Sequence, residues 1–269
     1  MRISLHEIGG QTLRVGERRG DPARPPLLMF NGIGASIELA EPFLEALDGQ
    51  PAIIFDVPGV GGSPAPTLPY RPWMLARMTA RLLDRLGHDR VDVLGVSWGG
   101  ALAQQFAFQY SQRCRRLVLA ATSPGHLMIP GRLGALLRMA GPRRYKDAKY
   151  MRQIAGTLYG GVLRQSPERA DEHLRHVRWA SDYGYYLQLL AGVGWSSLPW
   201  LGFLPQPTLV MAGTDDPLVP LLNGYILAKL IPDARLITLD DGHLFLVTSA
   251  TESARKISEF LQQEAANSQ

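Results

Sequence analysis

The residues of this chain that could do chemistry together are a serine between two glycines, a histidine behind a glycine, and a pair of aspartates ahead of that histidine. The serine lies in Gly95-Val96-Ser97-Trp98-Gly99, a G-x-S-x-G pattern. An apolar, β-branched run at residues 91–96 precedes it, and a helix-forming stretch at residues 101–110 follows. Strand before and helix after is the setting of a nucleophile elbow. The turn is so tight that the serine backbone is strained, and Gly95 and Gly99 permit approaches that a Cβ would block. The hydroxyl of Ser97 is then exposed above the sheet edge. The N-terminus of the following helix brings unpaired N–H groups to the same spot, where developing negative charge would be stabilised.

A serine hydroxyl is a poor nucleophile at neutral pH and needs a base. Of the six histidines, His6 falls in a hairpin, His88 in a polar turn, and His126, His173 and His176 in a helical stretch; these read as surface or packing residues. His243 stands in Asp240-Asp241-Gly242-His243-Leu244, directly after a strand, where Gly242 allows a turn that aims the imidazole inward. A third group must orient the imidazole and stabilise the imidazolium. Gly213-Thr214-Asp215-Asp216-Pro217, after another strand, offers two aspartates, and the residues alone leave both open. Asp240 and Asp241 read as a local solvated turn. Two backbone N–H groups are expected to form an oxyanion hole, that of Trp98 after the serine and that of Ile33 in the loop Asn31-Gly32-Ile33-Gly34.

The elements that must position these residues alternate along the chain. Short strands at residues 3–8 and 11–18 form a hairpin around Gly9-Gly10. Strands follow at residues 27–30, 52–55, 91–96, 117–121, 208–212 and 235–239. Helical patterns cover residues 37–47, 74–86, 101–110, 221–230 and 253–264. The fold class is therefore α/β, a mostly parallel central sheet flanked by helices. The stretch after Pro124 breaks the alternation with helices interrupted by Gly and Pro, rich in aromatics. It holds eleven Lys/Arg against five Asp/Glu, whereas the whole chain has a net charge of +4. The expected division is a core of residues 1–123 and 206–269 with a helical cap of residues 124–205 inserted between sheet strands, over a site at the strands' carboxyl ends.

Composition narrows the class. The 269 residues, 46% of them hydrophobic, suffice for one large domain with a sizeable core. The basic balance is mild, and no Lys/Arg run with interleaved aromatics marks a nucleic-acid binder. The single cysteine, Cys114, excludes a disulfide within the chain and a cysteine zinc site. Cys114 reads as a structural thiol just before a strand. No His/Asp/Glu cluster has metal-ligand spacing and no G-x-G-x-x-G opens a helix after the first strand, so neither metal nor cofactor is expected. No stretch approaches the roughly 20 apolar residues of a membrane span, and the N-terminus lacks a signal-peptide core. A cytoplasmic protein is expected.

The whole chain resembles the α/β-hydrolase superfamily and, more narrowly, the bacterial intracellular depolymerases of medium-chain-length poly(3-hydroxyalkanoates). Phe30-Asn31-Gly32-Ile33-Gly34-Ala35, Phe55-Asp56-Val57-Pro58-Gly59-Val60-Gly61-Gly62-Ser63, residues 95–107 and Asp240-Asp241-Gly242-His243-Leu244-Phe245-Leu246 carry the resemblance. Pro142-Arg143-Arg144-Tyr145, Leu158-Tyr159-Gly160-Gly161 and Gly184-Tyr185-Tyr186 in the cap match too. The family's G-x-x-D pattern falls on Asp216, leaving Asp215 as a turn residue that caps local N–H groups. Many relatives have His where Asn31 stands; Asn31 can still hold the loop by a hydrogen bond. The resemblance implies a triad of Ser97, Asp216 and His243, an aliphatic 3-hydroxyacyl polyester as substrate, and binding to intracellular storage granules. Arg143, Arg144, Lys146 and Lys149 are expected to help that docking, with cap aromatics toward the polymer. The competing expectation is a capped carboxylesterase or carbon–carbon bond hydrolase for a small soluble substrate, which the same triad would serve. A non-catalytic module or a granule coat on this fold is the remaining class. Oligomeric state is not legible.

Overall fold

The computed structural model describes residues 1–179 and 181–263. Its strands are β1 (Arg2–Ile8), β2 (Gln11–Arg18), β3 (Leu27–Phe30), β4 (Ala52–Phe55), β5 (Val91–Val96), β6 (Cys114–Ala120), β7 (Thr208–Gly213) and β8 (Ala234–Leu239). They form one sheet in the order β1-β2-β4-β3-β5-β6-β7-β8. β2 runs antiparallel to β1 and β4, and the other pairs are parallel. β3 and β4 are buried at every position, as expected of strands covered on both faces. Neighbouring residues enter opposite cores. Leu28, Phe30 and Val93 join Leu102 and Phe106 on one face, while Met29, Ile54 and Leu94 join Phe245 and Ile257 on the other.

The helices are α1 (Glu41–Ala46), α2 (Pro72–Leu86) and α3 (Trp98–Gln109), then α4 (Leu133–Met139), α5 (Arg143–Lys146), α6 (Ala148–Tyr159), α7 (Val162–Gln165), α8 (Ala170–Arg175) and α9 (Asp182–Gly192) between β6 and β7, and finally α10 (Leu222–Leu230), α11 (Phe245–Thr248) and α12 (Ala250–Gln262). α2 begins two residues before the expected Met74, because Pro72 fits the first helical turn, where its missing N–H costs nothing. α3 begins at Trp98 rather than residue 101, since the chain turns into helix immediately after Ser97. Cys114 is the first residue of β6, not a residue before it, and is buried. α12 starts at Ala250, and the expected terminal Glu264 lies outside the described residues. Among the described residues, no helix is long and apolar enough to cross a membrane.

Strand order decides where the site can be. The chain moves outward one way from β3 to β4 and the other way from β5 to β6, so a crevice opens between the carboxyl ends of β3 and β5. The register pairs Phe30 with Gly95 there, setting the loop after β3 against Ser97. The helical insertion between β6 and β7 is pinched at its base. Gly125 bridges Ser196, and Ser197 N–H donates to the Pro124 carbonyl at 3.0 Å. Met151, Ile154, Leu158 and Leu163 give the insertion a small core of its own, which Leu218 joins from the loop after β7. Leu187 and Ala191 of α9 instead pack into the main core.

Candidate active site

Ser97 has φ 53° and ψ −117°, a backbone conformation that L-residues rarely adopt. Its surroundings over-determine that turn. The Ser97 N–H donates to the Ala120 carbonyl at 2.9 Å, and its carbonyl accepts from Thr122 Oγ1 at 2.7 Å. A Cβ on Gly95 would overlap Ala103 and the Gly99 carbonyl, and one on Gly99 would overlap the Phe30 and Asn31 carbonyl oxygens. The two glycines therefore serve close approach, the strain being confined to the serine.

The structure brings Ser97, His243 and Asp216 into one hydrogen-bonded chain. His243 Nε2 lies 2.9 Å from Ser97 Oγ, and His243 Nδ1 lies 2.7 Å from Asp216 Oδ2. An ionised carboxylate only accepts, so Nδ1 carries the proton and Nε2 is left to accept from the serine hydroxyl. The other oxygen of Asp216 accepts the Leu218 and Val219 N–H groups at 2.8 and 2.9 Å, which fixes the carboxylate. The His243 N–H donates to the Tyr159 carbonyl at 2.7 Å, and the two rings are stacked at 14°. The histidine is thus held partly by α6 of the insertion.

The neighbouring aspartates depart from expectation. Asp215 does not cap local N–H groups. It reaches across to accept the Gly161 N–H at 2.9 Å and pairs with both Nε and Nη2 of Arg164, at 2.8 and 3.0 Å. The Arg164 guanidinium holds its carboxyl below the usual carboxylate range. Asp241 is not solvated but buried. It accepts from the N–H groups of Gly242 and Val162 and from the hydroxyls of Thr248 and Ser249. Asp240 is exposed in its turn, accepting from Thr214 Oγ1 at 3.2 Å. The two corrected residues share a reason. Gly160 and Gly161, both at positive φ, bring the turn after α6 against the His243 loop so closely that a Cβ on Gly161 would overlap the Gly242 nitrogen.

The loop after β3 is braced from the same side. Asn31 donates to the Ser36 carbonyl at 2.8 Å and accepts the Gly32 N–H at 3.1 Å, holding the loop as expected of it. The Ile33–Gly34 peptide is gripped at both ends: Tyr145 Oη donates to the Ile33 carbonyl at 2.7 Å, and the Gly34 N–H donates to Gln188 Oε1 at 2.7 Å. The backbone carbonyl of Gln188 accepts from Trp98 Nε1 at 2.9 Å. Gln188 therefore touches Trp98 directly and Gly34, the residue after Ile33, on the other side of the expected oxyanion hole. Trp98, the first residue of α3, has one of the helix's spare N–H donors. Sequence reasoning missed Gln188 and Tyr145. A polar residue in the apolar run Leu187-Gln188-Leu189 was the available signal for the first, and the second stood in the family-like stretch Pro142-Arg143-Arg144-Tyr145 with nothing to mark its role.

Two cavities meet at Ser97 and His243. The smaller, about 70 Å³, lies between the loop after β3, Leu39, Phe43, Arg144 and Tyr159. The larger, about 280 Å³, runs under the insertion past Leu102, Met128, Leu136, Trp195 and Val219. Arg144, expected at a surface, is fully buried. Its Nε donates to Tyr159 Oη at 3.0 Å and its Nη1 to Tyr185 Oη at 2.7 Å, and its guanidinium lies over the Tyr145 ring at 4.3 Å. Burial pushes the Tyr159 and Tyr185 phenols up, so they stay neutral beside it. Lys146 is paired with Asp182 and Arg143 with Asp147, each at 3.0 Å, while Lys149 is exposed. Of the basic cluster expected to meet a surface, one member is therefore inside and two are paired with aspartates. Among the described residues, no group of three or more His, Cys, Asp or Glu side chains could hold a metal ion.

A sequence profile of the alpha/beta hydrolase fold matches residues 25–250. The chain is 54% identical to the poly(3-hydroxyalkanoate) depolymerase of Ectopseudomonas oleovorans over 96% of its length and 92% of that protein's. It is 30% identical to the 2-hydroxy-6-oxo-6-phenylhexa-2,4-dienoate hydrolase of Comamonas testosteroni over 82% of this chain and 80% of that one. Among solved structures, a hydrolase from Pseudomonas aeruginosa superposes with a TM-score of 0.80 at 26% identity, covering 97% of this chain and 99% of that chain. With a profile match across most of its length and more than half its residues shared with one relative, this chain belongs to the α/β-hydrolase family, on the branch of the poly(3-hydroxyalkanoate) depolymerases.

Proposed function

We propose that the chain hydrolyses the ester bonds of medium-chain-length poly(3-hydroxyalkanoate), with Ser97 as nucleophile, His243 as base and acid, and Asp216 orienting the imidazole. The observation that carries this is the continuous Asp216–His243–Ser97 hydrogen-bond chain opening onto an apolar cavity of about 280 Å³. Ser97 Oγ bonds to the ester carbonyl carbon as its proton passes to His243 Nε2. The Ile33 and Trp98 N–H groups hold the oxyanion. The carbon–oxygen bond to the alcohol then breaks, and the departing oxygen takes the proton from His243. Water next gives a proton to His243 and its oxygen to the acyl carbon, the bond to Ser97 breaks, and the serine regains its proton. Each alkyl CH₂ buried in the larger cavity contributes about 0.8 kcal/mol of binding, which favours medium-length side chains.

Residues 1–123 and 206–269 act as the catalytic core, and residues 124–205 as a cap. Support comes from the pinched base of the insertion and its separate small core. The protein works at the surface of cytoplasmic storage granules, supported by exposed Leu127, Leu133 and Leu137 beside Leu136, which lines the larger cavity. This apolar rim replaces the basic cluster as the docking feature. The dienoate hydrolase relative supports a second reading, a carboxylesterase or carbon–carbon bond hydrolase for a small soluble substrate. Turnover of 3-hydroxyoctanoate polymer, short-chain polymer and p-nitrophenyl octanoate by the parent and by Ser97→Ala decides. The depolymerase reading expects the octanoate polymer to be degraded fastest among the polymers, and Ser97→Ala to lose all three activities while remaining folded. Ester turnover with no polymer turnover would favour the second reading.

A further inference from the structure

Arg144 is a buried cation. Among the described residues no carboxylate pairs with it; its partners are the hydroxyls of Tyr159 and Tyr185 and the carbonyls of Gly141 and, at 3.5 Å, Ile33. A buried charge is costly unless it is paired, and neutral phenols and carbonyls supply dipoles but no counter-charge. Of the five guanidinium N–H groups, these contacts use four, and the long one to Ile33 comes from Nη2. Arg144 also lines the small cavity that Ser97 and His243 open onto, in which the other walls are mostly apolar.

We propose that Arg144 forms a carboxylate subsite beside Ser97 and that this subsite takes the free carboxyl end of a 3-hydroxyacyl chain. The proposal rests on the polyester-hydrolase reading for its ligand. The size argument is chemical. A water-sized group occupies roughly 10–15 Å³ of such space, so the cavity of about 70 Å³ holds about five. In a polyester of 3-hydroxy acids, the terminal carboxylate lies close to the last ester oxygen. The oxygen-bearing carbon, one CH₂, the carboxyl carbon and its two oxygens are the five groups between that oxygen and the chain end. The last unit's alkyl branch leaves from the oxygen-bearing carbon toward the larger cavity. Cleavage by Ser97 then releases the terminal unit as a 3-hydroxy acid with its carboxylate on Arg144. The enzyme would work inward from carboxyl ends, and the released acid would compete for the same place.

The test is calorimetric titration of Ser97→Ala with 3-hydroxyoctanoate and with 3-hydroxyoctanamide, which has the same shape and no charge. The acid is expected to bind at least tenfold tighter at neutral pH. Adding Arg144→Met should abolish that preference, and adding Arg144→Lys should keep part of it. A purely structural arginine leaves acid and amide equal in Ser97→Ala, and that result overturns the proposal. So does an acid preference that survives Arg144→Met. Should the methionine variant not fold, the comparison in the arginine-bearing protein decides, with the lysine variant expected to narrow the preference. A trimer of 3-hydroxyoctanoate with a free carboxyl end should be cleaved by the parent with at least tenfold higher kcat/KM than its methyl ester; equal rates count against the proposal. Fluorophosphonate labelling of Ser97 reports separately on the serine-hydrolase reading, so failure of that reading is distinguishable from failure of the subsite.

Discussion

At the scale of single residues, Ser97 holds strain in the backbone of its own turn. A backbone at φ 53°, ψ −117° costs a non-glycine residue about 1–3 kcal/mol, and glycine loses about 0.5–1 kcal/mol of that advantage to its unfolded-state entropy. Ser97→Gly should therefore be inactive yet more stable by about 1 kcal/mol, seen as a higher urea midpoint at unchanged slope. A lower midpoint would show that the turn is not strained. The paired aspartates make a second comparison. Asp216→Asn removes the group that sets the imidazole tautomer, and a loss in kcat of roughly 10⁴ is expected. Asp215→Asn removes a partly exposed pair with Arg164, worth about 0–1 kcal/mol of stability. Because Arg164 lowers the folded-state value of Asp215, that contribution is present above about pH 4, the ordinary carboxylate value, and is lost as pH falls through the lower folded value. Equal kinetic losses from the two substitutions would overturn the assignment.

At the scale of elements, α9 does more than cover the site. Its Gln188 side chain accepts the Gly34 N–H while its main-chain carbonyl accepts the Trp98 indole. One helical residue thereby couples the loop after β3 to the start of α3. In Gln188→Leu the Gly34 N–H stays buried without an acceptor, at about 1–3 kcal/mol. The Ile33 N–H, one peptide earlier in the same loop, then loses its fixed aim. Since that aim matters as charge develops on the carbonyl oxygen, kcat should fall while KM changes little. Gln188→Glu retains an acceptor oxygen and should recover part of the rate on p-nitrophenyl octanoate. A rise in KM at unchanged kcat would mean that Gln188 acts on substrate binding instead.

At the scale of the molecule, the insertion and the sheet share one site. The turn at Gly160 and Gly161 packs on the His243 loop, Asp215 and Asp241 bind it from below, and Tyr145 reaches Ile33 from above. The outer side of α4 is different: Leu133 and Leu137 are 73% and 66% exposed. Apolar side chains left in water next to a cavity mouth suit contact with a hydrophobic surface. The double variant Leu133→Asp, Leu137→Asp should pellet less with isolated granules at every salt concentration, with turnover of a soluble ester unchanged. Salt dependence of the parent's binding would instead point back to Arg143 and Lys149, since exposed charges are screened over about 8 Å at physiological ionic strength.

The alternation of apolar strands and amphipathic helices determined the sheet and its flanking layers. These follow from periods of two and 3.6 residues that any stretch carries locally. The elbow was legible for the same reason: Gly95, Ser97 and Gly99 lie within five residues, and the strain they accommodate is local. His243 was legible because it follows a strand and a glycine in a short loop. What tertiary structure alone decided were contacts across tens of residues. Asp241 is buried because Val162, 79 positions away in sequence, needs an acceptor for its N–H. Arg144 is buried because Tyr159 and Tyr185 converge on it from two other helices, so a sequence of adjacent cations that resembles a surface patch is divided between core and solvent. Burial depends on which elements pack together, and the four-residue α5 that carries Arg144 has too few turns for a local period to reveal which face is covered.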